Sequence, residues 1–88
     1  MNKLIIEFLG TLFFIYVILA TENALAIGAA MAIAILVGGK ISGGHFNPAV
    51  TSWALLSGKI SQNKAIGYII AQLLAALFVY FLNGVVRV

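Results

Sequence analysis

Apolar positions in this chain run in long blocks, separated by short polar or glycine-rich breaks. Leu4 to Thr21 contains one charge, Glu7, and covers about 27 Å as a helix, close to the hydrocarbon thickness of a bilayer. A membrane-spanning helix is predicted over 4–21. Glu22 and Asn23 interrupt the run, and Asn23 is suited to cap a second helix predicted over 24–39. At roughly 24 Å that helix is short for a full crossing. The stretch 41–47 resists helix because Gly43 and Gly44 favour irregular backbone and Asn47-Pro48 forces a turn. Pro48 suits a first helical position and Asn47 an N-cap, so a helix restarts over 48–57, with Gly58 as its C-terminal cap. Its length of about 15 Å is half a bilayer. Ser61 then caps a last helix over 63–86, long enough to cross with some tilt.

The expected fold is therefore an all-α membrane protein with three transmembrane helices and one re-entrant half-helix, formed by residues 1–88 as a single module. Composition agrees: 64% of the residues are apolar and 8% charged, too little polar surface to clothe a soluble core of this size. A cleaved secretion signal at the N-terminus would leave a soluble remainder, whereas residues 24–39 and 65–86 are as apolar as the first block. The lack of Cys excludes disulfides, thiolate metal sites and thiol nucleophiles.

The net charge of +3 arises from five separated basic residues, Lys3, Lys40, Lys59, Lys64 and Arg87. They form no basic run interleaved with aromatics, so no nucleic-acid partner is expected. They read instead as topology signals. With a cytoplasmic N-terminus, all four lysines fall inside and Arg87 outside, which satisfies the positive-inside rule. The expected placement is multi-pass in the cell (plasma) membrane.

A glycine-rich break followed by a capped half-length helix has a specific physical meaning inside a membrane protein, because non-helical backbone is tolerated there only when buried in protein or lining a wet cavity. The half-helix N-terminus would sit near the midplane with partial positive charge and repel cations, hydronium included. Carbonyls at Gly43, Gly44, His45 and Phe46 would replace hydrogen bonds of passing water, and the Asn47 amide would add a donor. Asn-Pro alone is a common turn, and a lone His beside it a common satisfied polar group. Their combination with two Gly and a half-span carries the pore-loop reading.

The run Ser42-Gly43-Gly44-His45-Phe46-Asn47-Pro48-Ala49-Val50-Thr51 resembles the first signature loop of the aquaporins, the major intrinsic protein family, with its Asn-Pro-Ala motif intact. Glu7-Phe8-Leu9-Gly10-Thr11 and Gly67-Tyr68-Ile69-Ile70-Ala71-Gln72 extend the resemblance across the chain, to the N-terminal half of the family pattern only. The resemblance implies a passive channel for water or a small neutral solute such as glycerol, with no reaction and no cofactor. It makes Asn47 one of two pore asparagines and Pro48 and Ala49 the packing tip between two half-helices. It makes Glu7 a buried carboxylate holding loop N–H groups, and Ile27 the filter position on helix two. Gln72 reads as structural. The sequence departs from the family pattern in two respects: it has no second Asn-Pro-Ala, and Val50 stands where an arginine follows the motif in the filter-bearing loop.

Because family pores need two such halves, the resemblance implies a partner: a separate chain, a region lost by truncation, or a second copy in inverted orientation. The lysine bias disfavours the inverted copy, and the family also assembles its pores as tetramers. Two other readings stand beside the channel. One is a small proton-coupled transporter using Glu7; the other is a non-conducting fragment that pairs with a full channel. An enzyme is not expected, since Glu7, Glu22 and His45 fall on separate parts of the chain. Gly28, Ala32 and Gly39 on helix two, and Gly67, Ala71 and Ala75 on the last helix, are expected to form small faces for close helix contact.

Overall fold

The computed structural model describes residues 2–85, and the predicted helix end at Val86 and the external charge Arg87 lie outside the described residues. Four helices follow in order: α1 Lys3–Thr21, α2 Ala24–Ser42, α3 Pro48–Leu56 and α4 Gln62–Val85. Helices α1, α2 and α4 are each long and apolar enough to cross a membrane. The chain is an all-α membrane protein. Its longest dimension, 39 Å, matches a bilayer with its interfacial layers.

Side-chain caps place the helix starts. Asn2, a cap not anticipated from sequence, accepts from Leu4 N–H at 2.6 Å and starts α1 at Lys3. Asn23 accepts from Ala26 N–H at 2.9 Å, and Ser61 Oγ accepts from Lys64 N–H at 3.3 Å. Each satisfies a backbone donor that the first helical turn leaves orphaned. Glu22 ends α1 in the left-handed region, with φ +49°, so α1 reverses into α2 through Glu22 and Asn23 alone.

The second helix corrects the expectation. It continues past Gly39 through Lys40 and Ile41 to Ser42, and the loop begins at Gly43, not Ile41. The helix-ending glycine is Gly43, at φ +98° with its N–H bonded to the Gly39 carbonyl at 2.8 Å. Gly38 and Gly39 stay helical, and at Gly38 the lack of a side chain lets other parts of the chain approach. A Cβ on Gly38 would lie 2.8 Å from Ile6 Cγ2. With 19 residues, α2 is about 28 Å long, a full crossing.

Helix α1 packs between α2 and α4, and α3 packs on α4. The α2 contact stripe is also corrected: Ala30, Ala34, Gly38 and Ser42 are buried, while Gly28 and Ala32 are exposed. A shift of two positions turns the expected face away by about 200°, since successive residues on an α-helix step by about 100°. On α4 the stripe is Ala65, Tyr68, Ala71, Gln72, Ala75 and Val79. Buried alanines let the backbones approach closely, as in helix packing within lipid. Trp53 and Tyr80 are exposed and Tyr68 is core.

Helix α3 has 9 residues, about 14 Å. Five residues, Gly43 to Asn47, carry the chain from the end of α2 into the bundle, and α3 runs back toward the α4 start. Thr51 on α3 meets Gln72, which lies about 15 Å along α4 from Gln62. Asn47 is one helical turn deeper still, near the middle of the bundle.

Candidate functional site

The hub of the loop is Glu7. Its carboxylate is fully buried and collects four donors from three parts of the chain. One oxygen accepts from Ser42 Oγ at 2.7 Å and from His45 N–H at 3.1 Å. The other accepts from Phe46 N–H at 2.8 Å and from Gln72 Nε2 at 2.9 Å. Charge-assisted bonds of this kind are about twice as strong as neutral ones, and four of them compensate the desolvation of a carboxylate within apolar helices.

The network extends from Gln72 to the half-helix. The second Nε2 hydrogen of Gln72 reaches Thr51 Oγ1 at 2.9 Å, and Thr51 Oγ1 lies 2.8 Å from His45 Nδ1. The arrangement that uses every proton has Thr51 donating to Nδ1, which places the imidazole proton on Nε2. Tyr68 donates its hydroxyl to the Ser42 carbonyl and meets the His45 ring edge-on, centroids 5.2 Å apart. Ser42 Oγ also accepts from Gly44 N–H at 3.2 Å. Ser42, Thr51 and Tyr68 carry no predicted role; their part in the network depends on which residues of distant segments meet, and no spacing along the chain encodes that.

Phe46 fixes the loop from its apolar side. It takes φ +51°, a backbone conformation that costs a bulky residue about 1 kcal/mol or more. In return its ring is buried across Gly10 and Gly38: a Cβ on Gly10 would lie 2.2 Å from the ring, and one on Gly38 3.2 Å. The Phe46 side chain thus packs in the core, and only its backbone is placed to line anything.

The N–H groups of Gly44, His45 and Phe46 point inward to Ser42 and Glu7, whereas among the described residues no hydrogen bond reaches the carbonyls of Gly43, Gly44, His45 or Phe46. Below them, Asn47 caps α3 by accepting from Ala49 N–H at 2.8 Å. With its oxygen so engaged, the amide keeps its NH2 group as a free donor. Pro48 occupies the first turn, Ala49 and Val50 are exposed, and Gly44, Asn47 and Pro48 are half-exposed.

Ile27 stands apart from this cluster, half-buried in the first turn of α2, about 22 Å along the helix from Ser42. Among the described residues no group of three or more metal-ligating side chains occurs.

A sequence profile of the family described as Major intrinsic protein matches residues 1–86. The chain belongs to the major intrinsic protein family. It is 46% identical to Glycerol uptake facilitator protein-like 6 of Lactiplantibacillus plantarum over 86 residues, 88% of this chain and 40% of that protein. It is 38% identical to Aquaporin PIP2-7 of Arabidopsis thaliana over 93 residues, 86% of this chain and 33% of that one. The Lens fiber major intrinsic protein of Gallus gallus matches at 49% over 55 residues, 62% of this chain and 21% of the relative. No solved structure matches it significantly. This member of the major intrinsic protein family thus spans less than half the length of these relatives. The 93 positions aligned with the plant protein exceed the 88 residues of this chain, so the relative carries residues that this chain lacks, and counting along helix two to Ile27 is not a fixed register.

Proposed function

We propose that the chain supplies one half of a passive channel for water or a small neutral solute such as glycerol, and that a second half closes the conduit. The observation that carries this reading is the polarity of the loop. The N–H groups of Gly44, His45 and Phe46 are consumed by Ser42 and Glu7 while, among the described residues, four successive carbonyls and the Asn47 amide donor have no partner. A track of fixed acceptors ending at a donor on a helix N-terminus replaces the hydrogen bonds of a neutral solute and repels cations. In this reading Glu7 and Gln72 are anchors, Gly43 to Phe46 line the track through their carbonyls, and Asn47, Pro48, Ala49 and Val50 form the tip that meets the second half. Ile27 lines the external side.

The second half is a separate chain or a region beyond this sequence, with an inverted copy as the lesser option, and the assembled pores group as tetramers. The membrane is the cell membrane, with the N-terminus cytoplasmic. The names of the relatives, a glycerol uptake facilitator among them, support the solute class. A proton-carrier role for Glu7 would require the carboxylate to release its donors in every cycle, which the four bonds oppose. Osmotic swelling of vesicles tests the proposal. The chain alone should leave permeability at the level of empty vesicles, addition of a compatible second half should raise it, and Asn47→Asp should abolish the gain. Permeability that rises equally with Asn47→Asp would refute the assigned track.

A further inference from the structure

At the end of the bundle where the lysines gather, a polar hollow of about 270 Å³ borders the loop. Lys3, Lys59 and Lys64 line it together with His45, Ser61 and Tyr68. Among the described residues the three ammonium groups have no internal counter-charge. The chain holds only two acidic side chains: Glu7, sealed by its four donors, and Glu22, at the opposite end of α1. The hollow adds oriented donors to this charge. With Thr51 donating to His45 Nδ1, the imidazole Nε2–H lies beside Gly43, another residue of the lining, and α4 begins next to Ser61 with its positive end.

A second hollow is lined by residues next to Lys3 and Lys64 in the chain. An apolar groove of about 380 Å³ runs between α1 and α4, lined by Leu4, Ile5, Phe8, Gly67, Ile70 and Leu74 among others. Leu4 follows Lys3 in sequence, and Gly67 lies one turn beyond Lys64 on the same helix face. Neighbouring residues of α1 and α4 thus line both a cationic, donor-rich cup and an apolar groove. That combination of charge and shape fits an anionic phospholipid, with its phosphate in the cup and an acyl chain in the groove.

We propose that Lys3, Lys59 and Lys64 form a binding site for the phosphate of an anionic phospholipid of the lysine-facing leaflet, whose acyl chain lies between α1 and α4. The proposal depends on the membrane placement of the chain and not on its conducting anything. Because His45 and Gly43 belong both to the cup and to the loop, a lipid bound there touches the pore loop.

The test is native mass spectrometry of the full chain released from bilayers of equal phosphatidylcholine and phosphatidylglycerol. One phosphatidylglycerol should be retained in preference to phosphatidylcholine. Each of Lys3→Gln, Lys59→Gln and Lys64→Gln should weaken retention about fivefold, and the three Arg replacements should preserve it. Lys40→Gln, at a lysine outside the cup, should leave it unchanged. Inorganic phosphate at millimolar concentration, which carries the same charge chemistry without an acyl chain, should not displace the lipid. Equal retention of the two lipids, a Lys40→Gln effect as large as that of Lys64→Gln, or full displacement by inorganic phosphate would each overturn the proposal. The Gln and Arg variants are compared at matched thermal stability, and loss of retention in the Arg set as well would also count against it.

Discussion

Glu7 of α1 and Gln72 of α4 meet at 2.9 Å in the core, and through that bond one carboxylate ties two spanning helices to the backbone of a loop. Gln72 is a two-way clamp, since its other amide hydrogen holds Thr51 of the half-helix. The depth of α3 in the bundle is thus set by a polar chain from Glu7 through Gln72 to Thr51 that lipid cannot solvate.

Replacing Glu7 by Gln tests the clamp. A glutamine offers one acceptor oxygen where two are used, and turns an NH2 group toward donors already present. At least two charge-assisted bonds are lost while their buried donors remain, so Glu7→Gln should destabilise the fold by about 3 kcal/mol. Unfolding in mixed detergent micelles, followed by Trp53 fluorescence, measures the change. A variant as stable as the parent that nonetheless lost a pH-dependent flux would point to proton carriage instead.

The Phe46 ring over Gly10 makes a second, independent prediction. A methyl group on Gly10 would fall 2.2 Å from the ring, so Gly10→Ala must move either the ring or α1, at a cost of about 2 kcal/mol. Phe46→Leu, which shortens the opposing side chain, should lose stability alone but recover part of the deficit in combination with Gly10→Ala. A double-mutant cycle without coupling would show that the two sites do not press on each other.

Much of this arrangement is legible in the sequence because its signals are local. Asn23, Asn47-Pro48, Gly58 and Ser61 mark helix ends through chemistry that acts within a turn, and the apolar blocks give the spanning segments. The end of α2 is not local. The sequence reads the helix as ending at Gly39, yet Gly38 admits Ile6 and Phe46 within it, and the left-handed residue that ends the helix is Gly43. The same limit hides the contact stripe of α2: small residues occupy so many of its positions that composition does not single out Ala30, Ala34 and Gly38. The sequence motifs contain most of the loop network, but Ser42, Thr51 and Tyr68 acquire meaning only from what sits opposite them.

Asn47 does two jobs that substitutions can separate. Its oxygen caps α3 at Ala49 N–H, and its NH2 group is free. Asn47→Asp keeps the capping acceptor and deletes the donor, so stability should stay within about 0.5 kcal/mol of the parent. Asn47→Ala deletes both and should cost about 1 kcal/mol. Permeability with a second half present should fall in both variants. A permeability loss confined to Asn47→Ala would mean that the cap matters and the donor does not.

Orientation can be read from chemical labelling, because the chain has no cysteine of its own. Asn63 at the start of α4 is exposed and lies among the lysines, while Glu22 is exposed at the other end of the bundle. Lysines near the ends of spanning segments are retained on the cytoplasmic side, and Lys3, Lys40, Lys59 and Lys64 all stand at one end. Asn63→Cys in intact cells should therefore resist a membrane-impermeant maleimide until the membrane is opened, and Glu22→Cys should react at once. Partial labelling of both positions in intact cells would reveal chains inserted in two orientations. In that case the second half of the conduit is an inverted copy of this chain, since two opposed copies would supply both half-helices without a further partner.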